Sequence, residues 1–102
     1  MPNQYRLTRL AEQDIDSIAQ YIAKDSLKAA NKFTDEVERI CQTLAQMPDL
    51  GTEVSFIKSQ QFQFFPVGKF QNFLIFYRLL QNTPEIVRVL HRHRNIEDLF
   101  EE

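Results

Sequence analysis

The apolar period of this chain changes near Gln60, and no other feature limits its fold as much. Before that point apolar residues recur at helical spacing. Ala11, Ile15, Ile18, Ala19 and Ile22 form one stripe, which predicts a helix over residues 9 to 24. Thr8 stands where it can cap that helix, and Glu12, Asp14 and Asp16 lie early in it, where the helix dipole favours negative charge. Ala30, Phe33, Val37, Ile40, Cys41 and Leu44 make a second stripe, predicting a longer helix over residues 27 to 46. Ser26 is its expected cap, and Met47-Pro48 its stop, because proline cannot continue a helix. The short join between the two makes them an antiparallel hairpin.

After Gln60 the period falls to two, with aromatic and β-branched residues enriched. Phe62 to Phe65 reads as a strand ending near Pro66, and Val67 to Gln71 as a turn carrying Gly68. Phe73 to Leu80 reads as a central strand, apolar on both faces and therefore covered on both. Gln81 to Pro84 is a turn, and Ile86 to His93 a further strand. Tyr5 to Thr8 alternates as a short first strand, and Asp49 opens a loop lasting to about Ser59. Asn95 is placed to cap a short last helix through Ile96, Leu99 and Phe100. The order β-α-α-β-β-β-α is an α+β fold: an antiparallel helical hairpin packed on a small, mainly antiparallel sheet. With 102 residues, 43% of them apolar, the chain is expected to form a single domain over 1–102.

Composition narrows the function classes. Two glycines and four prolines exclude collagen-like and low-complexity chains. Cys41 is the single cysteine, so neither an intramolecular disulfide nor a cysteine-based zinc site can form. It lies on an apolar stripe and reads as a small buried hydrophobe, not a nucleophile. Met1 to Leu10 lacks the apolar run of a signal peptide, and the longest wholly apolar stretch, Phe73 to Tyr77, is far short of the ~20 residues of a membrane span. A cytoplasmic protein is expected.

The net charge of −2 conceals a polarity. Between Phe56 and Asn95 the charged residues are Lys58, Lys69, Arg78, Arg88, Arg92 and Arg94 against the lone acid Glu85. A basic segment in an acidic chain suggests an anionic partner, and a solvated sheet face is the alternative.

His91-Arg92-His93-Arg94 is the most unusual local cluster. On a strand, His91 and His93 would share a face with Val87 and Val89, and Arg92 would share the other with Ile86, Arg88 and Leu90. A histidine among arginines can serve phosphodiester chemistry as a general acid or base. The arginines can instead grip phosphates or carboxylates without catalysis. The histidines can also be satisfied polar residues at the core margin. Two histidines at i, i+2 supply two metal ligands, but acidic or cysteine partners are not near and the arginines oppose a cation, so no metal is expected. The aromatic run from Phe62 to Tyr77 could stack on bases, yet with nine phenylalanines and no tryptophan most must fill the core. Lys69 and Tyr77-Arg78 are better placed for a polar surface role. Glycine-rich phosphate loops, GxSxG and HExxH are absent from the sequence, and no cofactor is implied.

Four pieces in order carry a resemblance: Tyr21-Ile22-Ala23; Met47-Pro48-Asp49-Leu50-Gly51; Phe65-Pro66-Val67-Gly68-Lys69-Phe70 leading into Phe73 to Arg78; and Ile86 to His91 followed by Arg94. Together they resemble the ParE branch of the RelE/ParE toxins of bacterial type II toxin–antitoxin systems. The resemblance implies a growth-arresting toxin and a cognate ParD-like antitoxin. It implies DNA gyrase as the target, poisoned in its cleaved-DNA state by binding and not by hydrolysis. Operator DNA would be reached only through the antitoxin. Lys69, Arg78, Arg88, Arg92, His93 and Arg94 are then the candidate antitoxin- or target-binding residues. The RelE branch instead cuts mRNA on the ribosome, and in that reading His93, Arg78 and Arg92 would be catalytic. Against it, Arg94 follows His93 where several members have Tyr, and Phe73 and Leu74 stand where ribonucleases tend to have Arg. Asn95 replaces an Asp common in the ParE pattern, one cap for another. A remnant that binds antitoxin without toxicity is the third possibility.

Overall fold

The computed structural model describes residues 4–54 and 61–94. A two-residue strand β1 (Arg6–Leu7) leads into helices α1 (Arg9–Ala23) and α2 (Leu27–Gln46). A 3-10 turn at Pro48–Leu50 follows, then strands β2 (Thr52–Val54), β3 (Phe62–Val67), β4 (Phe70–Leu80) and β5 (Thr83–His91). The helical hairpin packs on a five-stranded sheet of order β1-β5-β4-β3-β2, in which β1 runs parallel to β5 and the remaining neighbours are antiparallel. This is the expected α+β architecture with one more strand.

Both helices begin where the capping residues stand. The Thr8 hydroxyl accepts from the Ala11 N–H at 3.1 Å, and the Ser26 hydroxyl from the Ala29 N–H at 3.0 Å. α2 buries Ala30, Phe33, Val37, Ile40, Cys41 and Leu44 against the sheet, as its stripe requires. Between helices and sheet lies the main core, where Phe33 meets Phe70 and Phe73 edge-on, with ring centroids 5.4 Å apart in each pair. The opposite face of the sheet carries a second buried cluster of Val54, Phe62, Phe76 and Leu90. Neighbouring residues of β4 thus enter different clusters, which explains its apolar character on both faces.

The structure corrects several boundaries. β4 starts at Phe70, not Phe73, because Gly68 takes a positive φ of 45° and closes the β3–β4 turn tightly. Pro66 lies inside β3 instead of ending it. β2 pairs only with Phe62 to Phe64, so β3 is an edge at Pro66, where a missing N–H is tolerated. The β4–β5 connection is two residues, Gln81 and Asn82, both at positive φ, so β5 begins at Thr83. β5 ends at His91, and Arg92 and His93 form a turn closed by the Arg94 N–H donating to the His91 carbonyl at 3.0 Å. β2 falls inside the expected loop. The expected last helix from Asn95 through Ile96, Leu99 and Phe100 lies outside the described residues, as does Lys58.

One irregularity rearranges the candidate site. Phe76 pairs with Arg88 while Tyr77 pairs with Ile86, leaving Val87 as an extra residue in β5. Strict alternation fails across this bulge. Ile86 and Val89 both enter the helix-side core, whereas Val87 and Leu90 join the opposite cluster. The expected grouping of His91 with both Val87 and Val89, and of Ile86 with Leu90, is therefore overturned.

Candidate functional site

The six candidate residues divide into two groups. Arg88 reaches α1, where its Nε and Nη2 donate to the two carboxylate oxygens of Asp14 at 2.8 and 3.0 Å. Asp14 also accepts from the Val89 N–H at 3.0 Å. Both side chains are about 15% exposed, at 15% for Arg88 and 14% for Asp14, so this bidentate pair works largely away from water. It joins α1 to β5 and spends the charge of Arg88 inside the fold. Arg78 is similarly engaged, its Nε donating to Glu85 across the β4–β5 ladder at 2.8 Å.

Lys69, Arg92, His93 and Arg94 are exposed and gather at one end of the sheet. Lys69 sits in the β3–β4 turn, and the other three follow β5, whose His91 lies opposite Phe73 near the start of β4. The Arg92 N–H donates to the Asn72 carbonyl at 2.7 Å, fixing where the arginines leave the sheet. The Lys69 N–H donates to Glu36 of α2 at 3.1 Å. Glu36 is held down to about pH 2, first by the Arg39 guanidinium and then by this N–H. Lys69, Arg92 and Arg94 make no ion pair among the described residues.

His91 is half-buried, its ring edge-on to Phe73 at 5.1 Å. Its Nδ1 accepts the His93 N–H at 3.1 Å, which places the proton of the neutral ring on Nε2. The two imidazoles lie 5.2 Å apart, although His93 is in the turn and not on the strand. The hydrolytic set His93, Arg78 and Arg92 is not assembled. Arg78 lies five residues along β4 from Phe73, hence roughly 17 Å from the level of His91.

Tyr77 does not have the surface role expected for it. It is fully buried, and its hydroxyl donates to the Pro48 carbonyl at 2.8 Å and accepts the Gly51 N–H at 2.9 Å. It thereby ties the turn after α2 to the sheet. Burial pushes its ionisation upward. Cys41 is buried as expected, and burial pushes its thiol up to about 12.

Sequence reasoning missed a groove of about 580 Å³ between α1 and the end of β5, lined in part by Ile18, Tyr21, Ile22, Phe73, His91 and Arg94. Tyr21 is 70% exposed within it. The partnership of Arg88 with Asp14 was also missed, although Asp14 stands three residues after Ala11 and four before Ile18, on the inward stripe of α1. An acid on such a stripe needs a cationic partner. Among the described residues no group of three or more His, Cys, Asp or Glu is placed to hold a metal ion, and no helix is long and apolar enough to cross a membrane.

Two helices on a mixed five-stranded sheet form an α+β fold consistent with the ParE/RelE-like toxins. The model of the family described as "ParE toxin of type II toxin-antitoxin system, parDE" matches residues 5–96, and the chain belongs to that family. No curated protein matches the chain. Family membership implies a cognate antitoxin as partner.

Proposed function

We propose that residues 1–102 form one cytoplasmic toxin domain that arrests growth by binding and poisoning DNA gyrase, and that a ParD-like antitoxin neutralises it. The observation that carries this reading is the separation of the basic residues. Lys69, Arg92 and Arg94 are exposed together, whereas Arg78 and Arg88 are held by Glu85 and Asp14. A cationic end of this kind supplies a docking surface for an acidic protein segment. The distance of Arg78 from His93 favours binding over phosphodiester cleavage, since a general acid–base must lie within hydrogen-bond reach of the group it serves together with its charge-stabilising partners. No cofactor or metal is required.

The direct test is incubation of the purified chain with gyrase, supercoiled DNA and ATP, scored for linear, protein-linked DNA. Accumulation that the antitoxin reverses is expected. Folded protein at saturation that yields none would remove gyrase from the proposal. Transcripts cleaved in arrested cells, with cutting lost in His93→Ala, would then identify a ribosome-dependent endonuclease.

A further inference from the structure

The turn after α2 is fixed from inside the fold while its apolar side chains face outward. The Met47 N–H closes α2 on the Thr43 carbonyl at 2.9 Å, and the Leu50 N–H returns to the Met47 carbonyl at 3.1 Å. Tyr77 fastens the turn from the core, through the Pro48 carbonyl and the Gly51 N–H. Gly51 lies so close to the Tyr77 hydroxyl that a Cβ at this position would collide with it. Met47 is nevertheless 52% exposed and Leu50 41% exposed. Single exposed apolar residues are ordinary on a protein surface. Here two stand three residues apart on a backbone already held in place, so little conformational freedom is left to lose on binding. Leu80, 40% exposed, lies at the same end of the sheet, because its neighbour Leu79 lines a cavity of about 150 Å³ together with Asp49 and Glu53. The segment Met47-Pro48-Asp49-Leu50-Gly51 stood out in the sequence, and the core uses its backbone but not these outward side chains.

Charge selects among occupants. Asp49 and Glu53 are exposed, and neither makes an ion pair among the described residues. The cations Lys69, Arg92 and Arg94 stand at the other end of the sheet. Leu80 lies seven residues along β4 from Phe73, hence roughly 23 Å from that end. The turn is therefore apolar and anionic. DNA is repelled by it, as is an acidic antitoxin segment, which the cationic end attracts instead. A second copy would have to offer its own cationic end. Such a head-to-tail contact does not close on itself and runs on into open chains. A protein surface that is both apolar and basic fits, and an enzyme that grips DNA carries basic surface along its DNA track.

We infer that the turn from Met47 to Gly51, with Leu80 at the same end, is the surface by which this chain docks on gyrase. Met47 and Leu50 are its apolar anchors, and Asp49 and Glu53 face basic side chains of the target. The inference rests on the reading that gyrase is the target. It places target and antitoxin at opposite ends of the sheet, so a substitution in the turn separates the two activities.

The test measures the two partners separately, using the full chain, purified gyrase with supercoiled DNA and ATP, and the full-length protein encoded by the open reading frame adjacent to its gene. Leu50→Lys is expected to need at least ten-fold more protein than the unaltered chain for half-maximal linear DNA. Asp49→Lys is expected to need at least three-fold more. Both should bind the neighbouring protein within two-fold of the unaltered affinity, with thermal midpoints unchanged. If Leu50→Lys does not fold, Asp49→Lys decides, since Asp49 is exposed and unpaired among the described residues. Folded variants that poison gyrase as well as the unaltered chain would overturn the docking surface and leave gyrase as the target. An equal loss of antitoxin binding would assign the turn to the antitoxin and overturn the inference. Self-association of the unaltered chain in sedimentation, abolished by Leu50→Lys, would assign the turn to a second copy and overturn it as well. An unaltered chain that yields no linear DNA would defeat the gyrase reading itself, and the inference with it.

Discussion

Asp14 and Arg88 illustrate how a functional-looking residue becomes structural. Their pair is largely shielded from water, and three N–H groups converge on one carboxylate. Asp14→Ala leaves a mostly buried guanidinium without its carboxylate, and the expected loss is about 3 kcal/mol of unfolding free energy in urea titration. Replacing both, as Asp14→Leu with Arg88→Met, removes both charges and is expected to cost well under half as much. Equal losses in the single and double variants would show that packing, not charge, dominates. Glu36 gives a pH-dependent counterpart. Its folded pKa is depressed to about 2 from an ordinary 4.5, chiefly by Arg39 and then by the Lys69 N–H. A depressed carboxylate contributes stability that is complete above its unfolded pKa and is lost as pH falls through the folded value. Glu36→Gln is therefore expected to be less stable than the unaltered chain at neutral pH and to converge with it only as pH falls below about 2. Denaturant unfolding at neutral pH and below that value checks this, and a gap that persists in the lower range would contradict it. The Glu36–Arg39 contact is legible in sequence as an i, i+3 pair, whereas Lys69 is 33 residues from Glu36 and only the fold brings them together.

The elements divide by how local their causes are. α1 and α2 were legible almost to the residue, because stripe, cap and stop all lie within each segment. The strands were legible in existence and less so in extent. Their ends are set by turns, and both hairpin turns are tighter than Gly68 or Gln81-Asn82 announces. β2 escaped because three residues form no period, and its identity comes from pairing with β3. The Val87 bulge escaped for a related reason: nothing in Ile86 to Leu90 marks an extra residue until β4 lies opposite. The candidate site inherited that error, since faces on β5 decide which arginines meet solvent. The β4–β5 turn yields a prediction of its own. Gln81 at φ 53° and Asn82 at φ 66° occupy the left-handed region that glycine and asparagine tolerate best. Gln81→Asn with Asn82→Gly is expected to stabilise the chain by about 1 kcal/mol, read as a raised denaturation midpoint at unchanged slope. No gain would mean that the Gln81 side chain compensates for its backbone.

For the molecule as a whole, charge is distributed by use. The basic stretch that looked uniform in sequence contains arginines consumed by the fold and cations left at one end of the sheet. Long-range attraction depends on the second kind, because a salt-bridged arginine presents little net field. This gives a kinetic prediction that separates them. Lys69→Ala, Arg92→Ala and Arg94→Ala should each slow association with the antitoxin by roughly two- to ten-fold at low ionic strength and flatten its salt dependence. Their thermal midpoints should hold, since exposed charges contribute little to stability. Arg78→Ala removes a charge already balanced by Glu85, so its association rate should fall less than that of any of the three. Stopped-flow binding across a salt series measures all four variants. If Arg78→Ala slows association as much as Arg92→Ala, steering comes from total charge alone, and the cationic end loses its special standing. If the three exposed variants share the salt slope of the unaltered chain, the partner does not approach from that end.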